Sequence, residues 1–243
     1  MKILSIGNSF SQDAHKWLHT IAKQNGFELE TTNLYIGGCT LERHWKNVIE
    51  NIADYDLEIN GGESIGKISI DDALKRDKYD FITFQQQSGL SGIIDSYFPF
   101  LSNLDIIVRE LQPDAKIFFH QTWAYDTNST HNDFVKYNNN QSIMFDKIIE
   151  ASEKAAEEID APIIPTGLVI QRLRNTIKEF DYKNGELSLY RDGFHLSYDY
   201  GRYAAAATWL RTLYQKNVKV FPLENFDINI MQKIAKTVNS VVK

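Results

Sequence analysis

Cysteine is nearly missing from this 243-residue chain: Cys39 is the only one. A lone thiol builds no disulfide framework, and cysteine-based zinc sites need several. The sequence also has no His-Glu-x-x-His run or comparable ligand spacing, so no metal and no other cofactor is expected. No apolar stretch approaches the roughly eighteen residues of a membrane-spanning helix. No charged-then-apolar leader precedes the first strand, so a cytoplasmic location is the expectation. Basic runs are absent too. With 26 Lys and Arg against 32 Asp and Glu, the net charge is −6, which argues against nucleic acid or an anionic membrane as partner. No repeat or low-complexity linker interrupts the chain, so residues 1–243 read as one domain, with a last helix over about 222–243 packed on it.

What is present alternates between strand and helix patterns. Met1 to Ile6 is a short apolar strand, and Gly7-Asn8-Ser9-Phe10-Ser11 turns it into a helix running from Ser11 to Asn25. Strands are expected at 27–36, 79–84, 115–120 and 162–165. Helices are expected at 41–53, 97–111, from about 140 to 159, at 167–179, at 200–215 and after Pro222. Two stretches break this rhythm and read as β-hairpins. One spans 55–72 around Gly61-Gly62, and the other spans 180–190 with Asn184-Gly185 at its turn. Such alternation implies a three-layer α/β/α sandwich on a parallel sheet, with one or two hairpin excursions. In sheets of this kind, sites lie beyond the carboxyl ends of the strands. That rule gathers Ser9, Gly38, the Gln85-Gln86-Gln87 run and the His120–Trp123 segment into one neighbourhood.

Acyl transfer to a serine needs a hydroxyl, a base, a group that orients the base and donors for an oxyanion. Ser9 offers the hydroxyl at a strand-to-helix turn, where free backbone N–H groups favour negative charge. His195 is the candidate base, because Asp192 three residues earlier can reach the ring nitrogen that faces away from the serine. Asp-Gly-Phe-His also reads as a turn with a packed or capping histidine. Backbone N–H groups of Ser9 and Gly38 and a side-chain amide from Gln86 or Gln87 are the candidate oxyanion donors. Gly37-Gly38 could equally be a tight turn and no more. His15, His19 and His44 fall on helices and read as surface or boundary residues. His120 and Trp123 are expected to border the substrate pocket. The hairpin at 55–72 could cap that pocket or serve an oligomer contact.

These residues together resemble the SGNH/GDSL hydrolase superfamily. The first block of that family is matched by Ile6-Gly7-Asn8-Ser9-Phe10-Ser11, its second by Ile36-Gly37-Gly38-Cys39-Thr40, and its last by Asp192-Gly193-Phe194-His195-Leu196-Ser197. The resemblance runs in order over residues 3 to 210. It implies a flavodoxin-like, five-stranded parallel sheet, with Ser9 as nucleophile, Asp192 and His195 as its partners and Gly38 as an oxyanion donor. Two positions depart from the pattern. Asn8 stands where the family has Asp. The third block, normally Gly-x-Asn-Asp with a donating Asn, is replaced by Gln85-Gln86-Gln87-Ser88-Gly89.

The expected function is hydrolysis of an O-acyl ester, such as an acetyl ester, of a carbohydrate or other small molecule. One rival is a degenerate hydrolase that only binds a glycan or a protein. The other is a flavodoxin-like module whose Gly7–Ser11 turn cradles a phosphate. The closest positive charge to that turn is Lys16, a full turn or more into the helix, which disfavours the phosphate reading.

Overall fold

The computed structural model describes residues 1–243. Five parallel strands form the centre of its sheet: β1 (Lys2–Gly7), β2 (Glu30–Tyr35), β5 (Phe81–Phe84), β6 (Lys116–His120) and β7 (Ile163–Ile164). The expected hairpin forms from β3 (Tyr55–Ile59) and β4 (Ser64–Ile68). It does not stand apart. Strand β3 pairs antiparallel with β2, giving a seven-stranded sheet of order β4-β3-β2-β1-β5-β6-β7. Within the parallel part, the chain reverses direction across the sheet between β1 and β5. Ligands of doubly wound sheets bind at that crevice.

Successive residues along each central strand point to opposite faces, and the side chains follow that rule. Ile3, Phe81 and Phe118 face one layer while their neighbours Leu4, Ile82 and Ile117 face the other. The first layer comprises α1 (Ser9–Gln24), α6 (Thr166–Thr176), α7 (Tyr200–Tyr214) and α8 (Ile228–Val241). The second comprises α2 (Leu41–Ile49), α3 (Ile70–Arg76), α4 (Phe100–Leu111) and α5 (Gln141–Glu158), and α5 contributes to both cores. Helix α7 is buried along most of its length because Ala204 to Ala207 let α1 approach closely.

Three local differences from the sequence reading have identifiable causes. Helix α1 begins at Ser9, not Ser11, because Asn8 caps it. Helix α3 begins where the hairpin was expected to end, because the Ser69 hydroxyl accepts from the Asp72 N–H at 3.1 Å and nucleates a turn. The second hairpin is absent. The Asp181 carboxylate accepts from the N–H groups of Lys183 and Asn184 at 3.1 and 2.8 Å, closing a local turn where strand pairing was expected. The only β pairing nearby is a single antiparallel bridge between Tyr190 and Leu196. It closes a short strap that carries Asp192 and His195. No helix is long and apolar enough to cross a membrane.

Candidate active site

The turn between β1 and α1 is tight for a steric reason. A Cβ at Gly7 would lie 2.2 Å from the Ser11 hydroxyl, so only glycine fits there. The Ser11 hydroxyl accepts from the Asn8 N–H at 3.1 Å and donates to Asn33 Oδ1 on β2 at 2.6 Å. The buried Asn8 side chain ties three segments together. Its Oδ1 accepts from the Phe10 N–H at 3.0 Å and from Gln85 Nε2 at 2.7 Å, and its Nδ2 donates to the Cys39 carbonyl at 3.0 Å. That last bond accounts for an amide at this position. A carboxylate would face the Cys39 carbonyl with no hydrogen to offer, leaving two buried acceptors in contact.

Ser9 is therefore the first residue of α1, partly exposed, with its neighbours held on both sides. His195 Nε2 lies 2.8 Å from Ser9 Oγ, and His195 Nδ1 lies 2.7 Å from Asp192 Oδ2. An ionised carboxylate only accepts, so Nδ1 carries the ring hydrogen and Nε2 presents its lone pair to the serine. Asp192 Oδ1 also accepts from the N–H groups of His195 and Phe194 at 2.8 and 3.2 Å. Partial burial pushes the Asp192 carboxyl up, but the bonds from the His195 ring and the two N–H groups outweigh it and hold it below the usual carboxylate range. The His195 side chain is 18% exposed and that of Asp192 40%, so the pair opens to solvent from the strap side.

Two backbone donors stand free around the Ser9 turn and the Gly37–Gly38 turn tied to it through Asn8. Neither the Ser9 N–H nor the Gly38 N–H has a partner within the chain. Ser9 owes this to its place in the first helical turn. Gly38 has φ +62°, a left-handed conformation that glycine adopts without strain. The Asn8–Cys39 bond draws the Gly37–Gly38 turn toward Ser9.

The three glutamines after β5 have different occupations. Gln85 is buried and bridges Asn8 to His120 Nδ1, the latter at 2.5 Å. Gln86, an expected oxyanion donor, has its amide engaged elsewhere: its Nε2 donates to the Ser96 carbonyl and hydroxyl at 2.9 and 3.0 Å, while its Oε1 accepts from Leu41 N and Gln87 N. The amide is spent on holding the start of α2. Gln87 is half-buried. Its Oε1 caps the short 3-10 turn Ser88–Leu90, and its Nε2 has only 3.5 Å contacts with Ser88 Oγ and Asp133 Oδ2.

His120 and Trp123, expected at the pocket, are fully buried and offer no surface to a substrate. His120 is held between Gln85 and Thr166. Trp123 stacks on Phe10 with ring centroids 4.1 Å apart and donates to the Phe194 carbonyl at 2.8 Å, supporting the strap from behind. His15 and His44, expected at the surface or a boundary, are also fully buried. Burial pushes His15, His44 and His120 down to about 3, so all three are neutral at pH 7. Burial likewise pushes the Cys39 thiol up to about 12, which makes it inert. No group of three or more His, Cys, Asp or Glu side chains is arranged to hold a metal ion. Asp13, Arg191 and Arg202, none of them a candidate from the sequence alone, meet beneath the strap. Asp13 sits on the face of α1 that carries Phe10 and Ala14, and a charge on an apolar face was the available signal.

A family model described as "Domain of unknown function (DUF4886)" matches residues 2–240. No curated protein matches the chain in sequence. Among solved structures, a DUF4886 family protein from Bacteroides uniformis is 36% identical with a TM-score of 0.92, over 100% of this chain and 94% of that one. A Slackia heliotrinireducens protein, provisionally assigned as an SGNH hydrolase, is 20% identical with a TM-score of 0.60, over 88% and 98% of the two chains. A mutant of an acetyl-xylooligosaccharide esterase from Geobacillus Stearmophilus is 14% identical with a TM-score of 0.54, over 90% and 97%. The likeness to the last two is one of fold: the chain has an SGNH-hydrolase-like α/β architecture.

Proposed function

The chain belongs to the DUF4886 family, and we propose that it is a serine hydrolase that cleaves a small O-acyl ester. One observation carries this reading. Ser9, His195 and Asp192 form an unbroken hydrogen-bonded line at 2.8 and 2.7 Å, and the Ser9 N–H at its head has no partner within the chain. In the reaction, Ser9 Oγ attacks the acyl carbon as His195 Nε2 takes its proton. The N–H groups of Ser9 and Gly38 receive the oxyanion, and Asp192 stabilises the imidazolium. His195 then protonates the leaving alcohol. Water, activated by the same imidazole, attacks the acyl-serine and releases the carboxylic acid. Of the two glutamines considered, Gln87 is the one with a loosely held amide to offer as a third donor.

An acetylated carbohydrate is the substrate class we favour. A cleft of about 340 Å3 with no hydrophobic residue in its lining runs along α1 from Gln12, past Lys16, Glu58, Ser64 and Arg202; Ser9, Asp192 and His195 do not line it. The β3–β4 hairpin forms one wall. The likeness in fold to an esterase of acetyl-xylooligosaccharides is consistent with this class. A phosphate-cradling turn would have no use for an imidazole on the serine hydroxyl, and that rival is set aside. The test is hydrolysis of an activated acetyl ester by wild type and Ser9→Ala. The variant is expected to lose about four to six orders of magnitude in kcat. An unchanged rate would remove Ser9 as nucleophile.

A further inference from the structure

Ser9 and Asp13 are four residues apart on α1, so they share one face, about 6 Å apart along the axis. Asp13 is fully buried. Its carboxylate accepts from Arg191 Nη1 at 2.9 and 3.1 Å, from Arg202 Nε at 2.8 Å and from the Leu196 N–H at 3.0 Å. Arg191 immediately precedes Asp192, and Leu196 immediately follows His195. One carboxylate on the nucleophile's own helix thus ties down both ends of the strap that carries the base. Arg191 Nη1 also donates to the Leu196 carbonyl, and the Arg191 N–H donates to the His195 carbonyl at 3.1 Å, so the strap is closed on itself. The Tyr198 ring packs against both guanidiniums, 4.8 Å from that of Arg191 and 4.7 Å from that of Arg202.

A buried ion group is a costly fastening, since each charge gives up hydration. The fully buried Leu196 side chain would hold the strap to the core through apolar contact alone. Apolar contact, however, is non-directional, whereas charge-assisted hydrogen bonds fix position and angle. The His195 ring needs such fixing. Asp192 orients it relative to the strap, but Asp192 belongs to the strap and says nothing about where the strap sits relative to Ser9. Asp13 supplies that second reference.

We propose that Asp13, with Arg191 and Arg202, is a positioning unit that registers His195 against Ser9. This rests on the reading of Ser9 and His195 as nucleophile and base. The experiment measures kcat and KM for an activated acetyl ester, per folded molecule, in the full-length chain carrying Asp13→Asn or Arg191→Lys. Amide hydrogen exchange over residues 192–197 is followed in parallel. Misplacement of a catalytic group by about 1 Å costs on the order of 100-fold, so Asp13→Asn is expected to lower kcat about 100-fold, with KM changed less than about threefold. Arg191→Lys keeps the charge but replaces the rigid planar guanidinium with a flexible point charge that fixes position less tightly, and is expected to lose about tenfold. Both variants should speed exchange of the Leu196 amide. Wild-type kcat in a folded Asp13→Asn protein would overturn the proposal, as would a lowered kcat without faster exchange in the strap. Should Asp13→Asn not fold, Arg191→Lys decides on the same criteria. If instead the wild-type protein hydrolyses no ester, the serine-hydrolase reading falls, and the positioning role falls with it for a visibly different reason.

Discussion

The strap from Arg191 to Leu196 and the segment Gln85–Gln87 after β5 both meet the Ser9 turn, and they use their polar groups in opposite ways. In the strap, the backbone and the flanking arginine take up the structural bonds, leaving the His195 ring to face Ser9 with only Asp192 behind it. After β5, the side chains themselves are the structure. Gln85 joins Asn8 to His120, and Gln86 joins Ser96 to the start of α2. A polar side chain beside a nucleophile is therefore free to act only where something else holds its loop in place. By that criterion His195 is available, Gln85 and Gln86 are not, and Gln87 lies between them.

The contrast is easiest to break at the glutamines. Gln87→Ala is expected to lower kcat for an activated acetyl ester by about 100-fold, the effect of losing one oxyanion donor, with the melting temperature lowered only by the loss of one turn cap. Gln86→Ala should do the reverse. It strands buried partners at Ser96 and Leu41, costing about 1–3 kcal/mol of stability, while kcat per folded molecule stays close to wild type. Equal kcat losses in the two variants would erase the distinction drawn between them.

A more gradual effect should appear in acid. His15, His44 and His120 are pushed from an unfolded value of 6.5 to about 3 by burial. Below pH 6.5 the unfolded chain takes up protons on these groups and the native protein does not. Their contribution is therefore whole above pH 6.5 and is lost as pH falls toward 3, by about 1.4 kcal/mol per pH unit for each histidine. Melting temperatures at pH 7, 6 and 5 should fall progressively, and His15→Gln should flatten the trend. A level profile from pH 7 to 5 would show that these histidines titrate normally.

Much of the site was legible because its chemistry is local. Ser9 stands at a strand-to-helix turn marked by Gly7 and Asn8, and Asp192 reaches His195 across three residues, so both could be read from short windows. The parallel sheet was legible from apolar runs such as Phe81–Phe84 for the same reason. What escaped depends on distant partners. The donors and acceptors of Gln86 lie at Ser96 and Leu41, and nothing in Gln85-Gln86-Gln87 distinguishes a tethered amide from a free one. Asp13 and His15 fall on a helix, where charged and polar residues usually face water. Their burial follows from α7 packing against α1 through its alanines, and within α1 only the place of Asp13 on the face of Phe10 and Ala14 signals it. The turn at Asn184-Gly185 misled because its hairpin signal is overridden by the Asp181 side chain. The hairpin at 55–72 was legible as a hairpin, but its place on the sheet edge beside β2 was not.

The most direct measurement is labelling of the intact protein with a fluorophosphonate, followed by peptide mapping. The account predicts one adduct, on Ser9, formed in wild type and absent in a folded His195→Ala variant, because the hydroxyl at 2.8 Å from that imidazole depends on it for activation. Labelling at another serine, or labelling of Ser9 at the same rate without His195, would contradict it.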